Sequence, residues 1–265
     1  MRFGPLLLVV PVIVFAGCAD GPSRDVECDP ITVLAASSLS GAFDDLERAF
    51  LATDTCADDV RVVFGASSSL AAQVVNGAPV DVFISASRKS MEPVLDLGSV
   101  GEPVVVAGNS ASIMVSTRSP FSTSVNKIVD LLDARNRGIT VGLCAPSVPC
   151  GALADAVLSS ASNESGDAAL ARATVADTEA SSVEDLVTKI QLGEIDAGIT
   201  YVSDCVAARS EDVTCVDIPV GINAATDVVA VTTSESAMAR SFVDFLVGAG
   251  ARRILVDGHG FSEAT

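Results

Sequence analysis

The chain has 265 residues, 49% of them hydrophobic, enough to bury a substantial core and to exclude disorder as the main state. Its 34 acids against 16 bases leave a formal net charge of -18, and such a surface repels nucleic acid. With no Trp and a single Tyr, Tyr201, little is available to stack sugars or bases.

The N-terminus reads as an export signal. Met1-Arg2 is a short positive start, and residues 3–15 are apolar apart from Gly4, Pro5 and Pro11. That run suits a signal-peptide core and is short for a bilayer span. It ends in Phe15-Ala16-Gly17-Cys18, small residues before a cysteine as in a bacterial lipobox, with Phe15 where Leu is usual. Residues 1–17 are therefore expected to be a signal peptide and Cys18 a lipidation site. Residues 18–30, with Gly21, Pro22 and Ser23, form a flexible tether to the outer face of the cytoplasmic membrane. Ordinary cleavage near Ala16-Gly17, without lipid, is the plainer alternative.

Seven cysteines suit that oxidising compartment, one for lipid and six for pairing. Six cysteines allow fifteen connectivities. A helix returning antiparallel along its strand brings Cys28, before the first strand, near Cys56, after the first helix. Cys144 and Cys150 bracket one short loop, and Cys205 and Cys215 are expected to flank a short helix. Cys28–Cys56, Cys144–Cys150 and Cys205–Cys215 are the pairs this favours. A metal site is the weaker reading, because no C-x-x-C occurs and His259 is the only histidine.

From Ile31 onward, short apolar runs alternate with helical periodicity. Strands are expected at Ile31 to Ala36, Arg61 to Phe64, Val80 to Ser85 and Pro103 to Val106. Between them fall helices at Leu39 to Leu51, Leu70 to Val75 and Arg88 to Leu97. A second series follows Gly108, with strands at Ile113 to Ser116, Ile139 to Leu143, Ala197 to Val202 and Val213 to Ile218. Its helices are Ala152 to Ser160 and Val183 to Leu192, with residues 159–167 read as a surface loop. The chain closes with a strand at Val228 to Thr232 and helices at Ser234 to Val247 and Ala251 to Val256. This is an α/β pattern, and continuous apolar strands suit mostly parallel sheets covered on both faces. Two interleaved lobes fit it: residues 31–108 with 226–265 as lobe 1, and 109–225 as lobe 2.

Two turns place small hydroxyl residues at a helix start beyond the carboxyl end of a strand: Ala35-Ala36-Ser37-Ser38 and Gly65-Ala66-Ser67-Ser68-Ser69. Open α/β sheets bind ligands there, and helix N-termini attract anions. Capping alone accounts for any one such turn. Three further pieces carry the same double reading. Pro146 to Gly151 is a stiff turn leading into a helix, Ser181-Ser182-Val183-Glu184 opens another, and Asp196 to Tyr201 is a strand carrying the lone tyrosine.

Taken together, these residues resemble the molybdate-binding proteins of ABC uptake systems, within the two-lobed extracytoplasmic solute-binding proteins. The resemblance runs from Ile31 to Phe261. It rests on A-A-S-S-L at 35–39, S-S-S-L at 67–70, G-A-P-V-D-V-F-I-S-A at 77–86, V-P-C-G at 148–151, D-A-G-I-T-Y-V-S-D at 196–204 and G-H-G-F at 258–261. It implies a periplasmic-binding-protein fold of type II and a monomer that delivers its cargo to a membrane-embedded permease. The implied cargo is a tetrahedral dianion, molybdate or tungstate, held between the lobes by neutral donors. Molybdenum enters only within that oxyanion, and no cofactor is implied. Contacts carried over by position fall on Ser38, Ser67, Cys150, Val183 and Tyr201. Ala66 replaces a common serine, which leaves Ser68 as an alternative register to Ser67, and Cys150 replaces a common alanine. Sulfate is the rival ligand. A serine hydrolase is the rival class, but Ser67 lacks both the G-x-S-x-G elbow and a nearby base other than the distant His259.

Overall fold

The computed structural model describes residues 30–53, 60–120, 122–134, 137–208 and 212–264. The signal peptide, Cys18 and the Cys28–Cys56 pairing lie outside the described residues.

Strand β1 (Ile31–Ala36) pairs in parallel with β2 (Val60–Gly65) and β3 (Val82–Ser85). Its side chains are buried on both faces, as the unbroken apolar run requires. Helix α1 (Ser40–Leu51) follows a 3-10 turn at Ser37–Leu39 and buries Ala42, Phe43, Leu46 and Phe50 along one face. Helices α2 (Ser67–Val75) and α3 (Arg88–Leu95) complete this half, with Ser87 capping α3 by accepting the Ser90 N–H.

Strand β4 (Val104–Ser116) leads to α4 (Asp130–Ala134), β5 (Val141–Cys144), α5 (Pro149–Ser165), α6 (Arg172–Val175) and β6 (Thr178–Ala180). Next come α7 (Val183–Leu192), β7 (Ala197–Tyr201), α8 (Val202–Ala207) and β8 (Val213–Asp217). The chain returns through β9 (Ala225–Thr232) to α9 (Ala237–Leu246), α10 (Ala249–Arg252) and a wide helical turn at Arg253–Gly258. The strand order is β2-β1-β3-β9-β4-β7-β5-β6, with β8 also on β4.

The sheet is mixed rather than mostly parallel. Four of its strand pairs are parallel; the four antiparallel pairs all involve β4 or β9, the strands that carry the chain out of the first half and back. Residues 104–110 of β4 pair with β9, whereas residues 111–116 pair with β7 and β8. The hydrophobic cores divide at the same place. Two clusters draw on residues 31–107 and 228–261, and a third on residues 111–222.

Other local expectations are revised. The strands read at 103–106 and 113–116 are one continuous β4, because the polar stretch between them pairs with β9 instead of turning. The loop read at 159–167 is largely helix: α5 runs on to Ser165 and stops at Gly166, whose φ of +70° breaks it. Cys205 and Cys215 do not flank a helix. Cys205 lies within α8 and Cys215 within β8, and their disulfide ties the two together. The Cys144–Cys150 disulfide is present across the β5–α5 turn.

The halves touch through α8. Asn109 Nδ2 donates to Ser203 Oγ at 2.8 Å, and that hydroxyl donates to the Ser38 carbonyl at 3.4 Å. Gly41 on α1 backs directly onto Ala207 of α8, where a Cβ on Gly41 would lie 2.4 Å from the Ala207 Cβ.

Phe43, Phe50 and Phe242 meet at centroid distances of 5.0 and 6.1 Å around the buried Phe242 ring. Phe242→Ala should cost about 3–5 kcal/mol of stability, the usual loss for emptying a buried aromatic site. Urea unfolding checks this; a loss below about 1 kcal/mol, the level of a surface change, would mean that the ring is not a core element.

Candidate functional site

Three helices point their N-termini at one small cavity. Ser67 is the first residue of α2; Pro149 and Cys150 open α5; Val183 opens α7 after its cap Ser182. Ser37 and Ser38 join them from the 3-10 turn before α1, and Tyr201 from the end of β7. First-turn N–H groups have no intrahelical acceptor, and each helix start carries a partial positive charge. Proline at the start of α5 wastes no donor, since its missing N–H would be unpaired anyway.

The cavity, about 10 Å³, holds little more than one water-sized group and is too small for a sugar or a peptide. Among the described residues no charged side chain lines it. Ser38, Ser67, Cys150, Val183 and Tyr201 all reach it, whereas Ser68 lies in the neighbouring groove.

Two of these hydroxyls are unsatisfied. Ser38 Oγ and the Tyr201 phenol are buried and have no hydrogen-bond partner among the described residues. Leaving a buried polar group unpaired costs about 1–3 kcal/mol, so each hydroxyl asks for a partner, and the helix N–H groups around them favour one that accepts. Ser116 Oγ is also unpaired but lies away on β4. Ser67 Oγ accepts the Ala86 N–H at 2.9 Å, which orients the hydroxyl and leaves its proton available to donate.

Beneath Tyr201 sits a buried carboxyl. Asp204 Oδ2 accepts the Tyr201 N–H at 2.9 Å. Burial pushes the Asp204 carboxyl up to about 7, against the lowering effect of that bond. Burial, and then the negative charge of Asp204, hold the Tyr201 phenol above its ordinary range, so it remains a protonated donor.

A larger groove of about 590 Å³ runs alongside, lined by Ala71, Val75, Pro93 and Leu153 among others, with Lys89 as its charged side chain. Its walls are mostly apolar, and the unpaired donors gather in the small cavity instead. Size therefore does not locate the site. Among the described residues no cluster of His, Cys, Asp and Glu is able to hold a metal ion. His259, the one candidate general base, lies 3.0 Å from Asp45 on α1 and does not line the cavity. Nothing there activates Ser67 as a nucleophile.

A family model described as bacterial extracellular solute-binding protein matches residues 31–262. The chain belongs to that family. It is thus a binding protein rather than an enzyme. The molybdate-binding protein ModA of Mycobacterium tuberculosis is 35% identical over 247 residues, spanning 92% of this chain and 87% of the relative. Among solved structures, the periplasmic molybdate-binding protein of Azotobacter vinelandii matches with a TM-score of 0.73 at 24% identity, covering 89% of this chain and all of that one. The sulfate-binding protein SubI of M. tuberculosis matches with a TM-score of 0.75 at 17% identity, covering 89% of this chain and 87% of that one. At those identities the structures establish the two-lobed fold alone.

Ala36, Gly65, Ala66, Ala86, Pro149 and Ser182 also line the cavity without having been named as contacts, although each lies in a turn or motif singled out in the sequence; Ser182 caps α7, and the others contribute backbone and shape.

The raised Asp204 carboxyl has a thermodynamic consequence. Its folded value of about 7 exceeds the ordinary 3.8. Between these values the folded chain binds more protons than the unfolded one. Its contribution to stability is therefore full at low pH and is lost as pH rises towards 7. Asp204→Asn keeps an acceptor for the Tyr201 N–H and removes the titration. Urea unfolding from pH 4 to pH 7 should show wild type losing stability relative to the variant; parallel profiles would place the carboxyl in its ordinary range.

Proposed function

We propose that this protein captures molybdate, and tungstate with it, outside the cytoplasm and hands it to the permease of an ABC transporter. The observation that carries the proposal is the pair of buried, unpartnered hydroxyls, Ser38 in one half and Tyr201 in the other, facing one uncharged cavity at three helix N-termini. The names of the ModA relatives supply the oxyanion. In this reading residues 31–108 and 226–265 form one lobe and 109–225 the other, and the cargo sits between them. Cys18 carries lipid, and the protein works as a monomer tethered at the membrane. No helix among the described residues is long and apolar enough to cross a bilayer.

The chemistry favours a fully deprotonated tetrahedral dianion. Hydrogen bonds to a charged partner contribute about 1.5–3 kcal/mol each. Five contact residues then supply about -8 kcal/mol or better after ordering costs, which is micromolar binding or tighter. The lining has no carboxylate to take the proton of hydrogen phosphate, and a hydroxyl that accepts it gives up its role as a donor to the anion, so phosphate is held less well. Sulfate passes that test as well, and only the size of the site separates it from the larger molybdate.

Calorimetric titration with molybdate, tungstate, sulfate and phosphate decides the ligand. Molybdate and tungstate are expected to bind with similar strength, sulfate much more weakly and phosphate weakest near neutral pH. A preference for sulfate would reassign the cargo, and silence with every oxyanion would end the proposal.

Tyr201→Phe keeps the ring and its packing while deleting one donor. Molybdate affinity should fall by about 1.5–3 kcal/mol, roughly 10- to 150-fold, with the empty protein's stability little changed. Ser38→Ala should cost less, because its backbone N–H still donates. A core tyrosine without a ligand role gives the reverse pattern in the same two measurements.

A further inference from the structure

The Cys150 N–H is offered to the cavity by a turn, and the structure shows what holds that turn. Residues 145–148 connect β5 to α5, and the Cys144–Cys150 disulfide clasps the turn across its two ends, with Cα atoms 5.7 Å apart. A second clasp lies over the same two ends. Arg172, at the start of α6, donates from Nη1 to the Cys144 carbonyl at 2.7 Å and from Nη2 to the Gly151 carbonyl at 2.9 Å. Its Nε donates to Asp155 on α5 at 2.7 Å, and Nη1 also reaches Glu179 on β6 at 3.4 Å. The side chain is only 18% exposed. Gly151 is required by the same packing, since a Cβ there would lie 1.9 Å from the Ala145 carbonyl oxygen.

We propose that Arg172 is the positioning residue for the oxyanion-binding turn: its guanidinium fork spans the Cys144 and Gly151 carbonyls and fixes where the Cys150 N–H points. This rests on the oxyanion reading of the site. Arg172 does not line the cavity. Its charge is matched by Asp155 and Glu179, so it adds little field at the cavity, and its effect runs through the backbone. The planar fork matters because two carbonyls and a carboxylate are engaged at once from one rigid group. Lysine carries the same charge on a single nitrogen and cannot reproduce that spacing.

The test uses full-length Arg172→Lys and Arg172→Gln beside wild type, titrated calorimetrically with molybdate. Both variants should bind about tenfold more weakly, the loss of roughly one well-aligned hydrogen bond to a charged partner. Arginine acting as a charge alone would let Lys restore wild-type affinity, and a Lys variant within about twofold of wild type, a difference of a few tenths of a kcal/mol, overturns the proposal. If Gln fails to fold, Lys carries the comparison. Amide hydrogen exchange on the ligand-free proteins is the second measurement. Exchange at residues 150–152 should speed up in the Lys variant while the start of α7 stays unchanged. Should wild type bind no oxyanion, the functional reading fails by itself, and unchanged exchange at 150–152 would then separately refute the role of Arg172.

Discussion

An α-helix leaves its first N–H groups without intrahelical acceptors, and buried donors must find partners somewhere. Here α2, α5 and α7 direct that deficit at one point, and the hydroxyls of Ser38 and Tyr201 add to it. Most of the architecture follows from keeping these donors convergent. Strands β1 and β2 set the starts of the Ser37 turn and of α2, and β5 with β6 sets the starts of α5 and α7. Each sits at a carboxyl strand end, where parallel pairing brings neighbouring helix N-termini to the same edge. The antiparallel strands β4 and β9 have the separate task of joining the two halves.

Neutral donors suit an acidic protein. With a net charge of -18 the long-range field opposes any anion, and a lysine or arginine in the cavity would offset it. Among the described residues the lining contains none. In the proposed reading, capture depends on dipoles fixed by the fold, which are poorly screened by salt. Asp204 is the exception in this neighbourhood, a carboxyl kept close to neutral by burial while it holds the Tyr201 backbone in place.

Side-chain pattern made much of this legible. The serine-rich turns, the Pro146–Gly151 turn, the start of α7 at Val183 and the Tyr201 strand were each readable; the choice of five contacts within them came from the family resemblance, and all five surround one cavity. Patterning failed where backbone carries the information. Strand β4 looked like two strands because Gly108, Asn109 and Ser110 break its apolar run, although all three pair with β9. The end of α5 looked like a loop because its exposed face is Ser, Asn and Glu. Short elements such as α6 and β6 have too few residues to show a period. Arg172 left no signal at all, since it grips main-chain carbonyls 21 and 28 residues away that carry no side-chain signature.

The contact between Gly41 and Ala207 has a bearing on size. Two helices from opposite halves meet there almost backbone to backbone, with no long side chain between them to compress or rotate. If the two halves close on a cargo, such a contact would stop them at a separation set by the main chain and not by the cargo. A smaller anion could then not draw the walls further inward, and donors on at least one side would be left overextended. The gauge that measures the guest would then lie outside the chamber, in a glycine that never touches it.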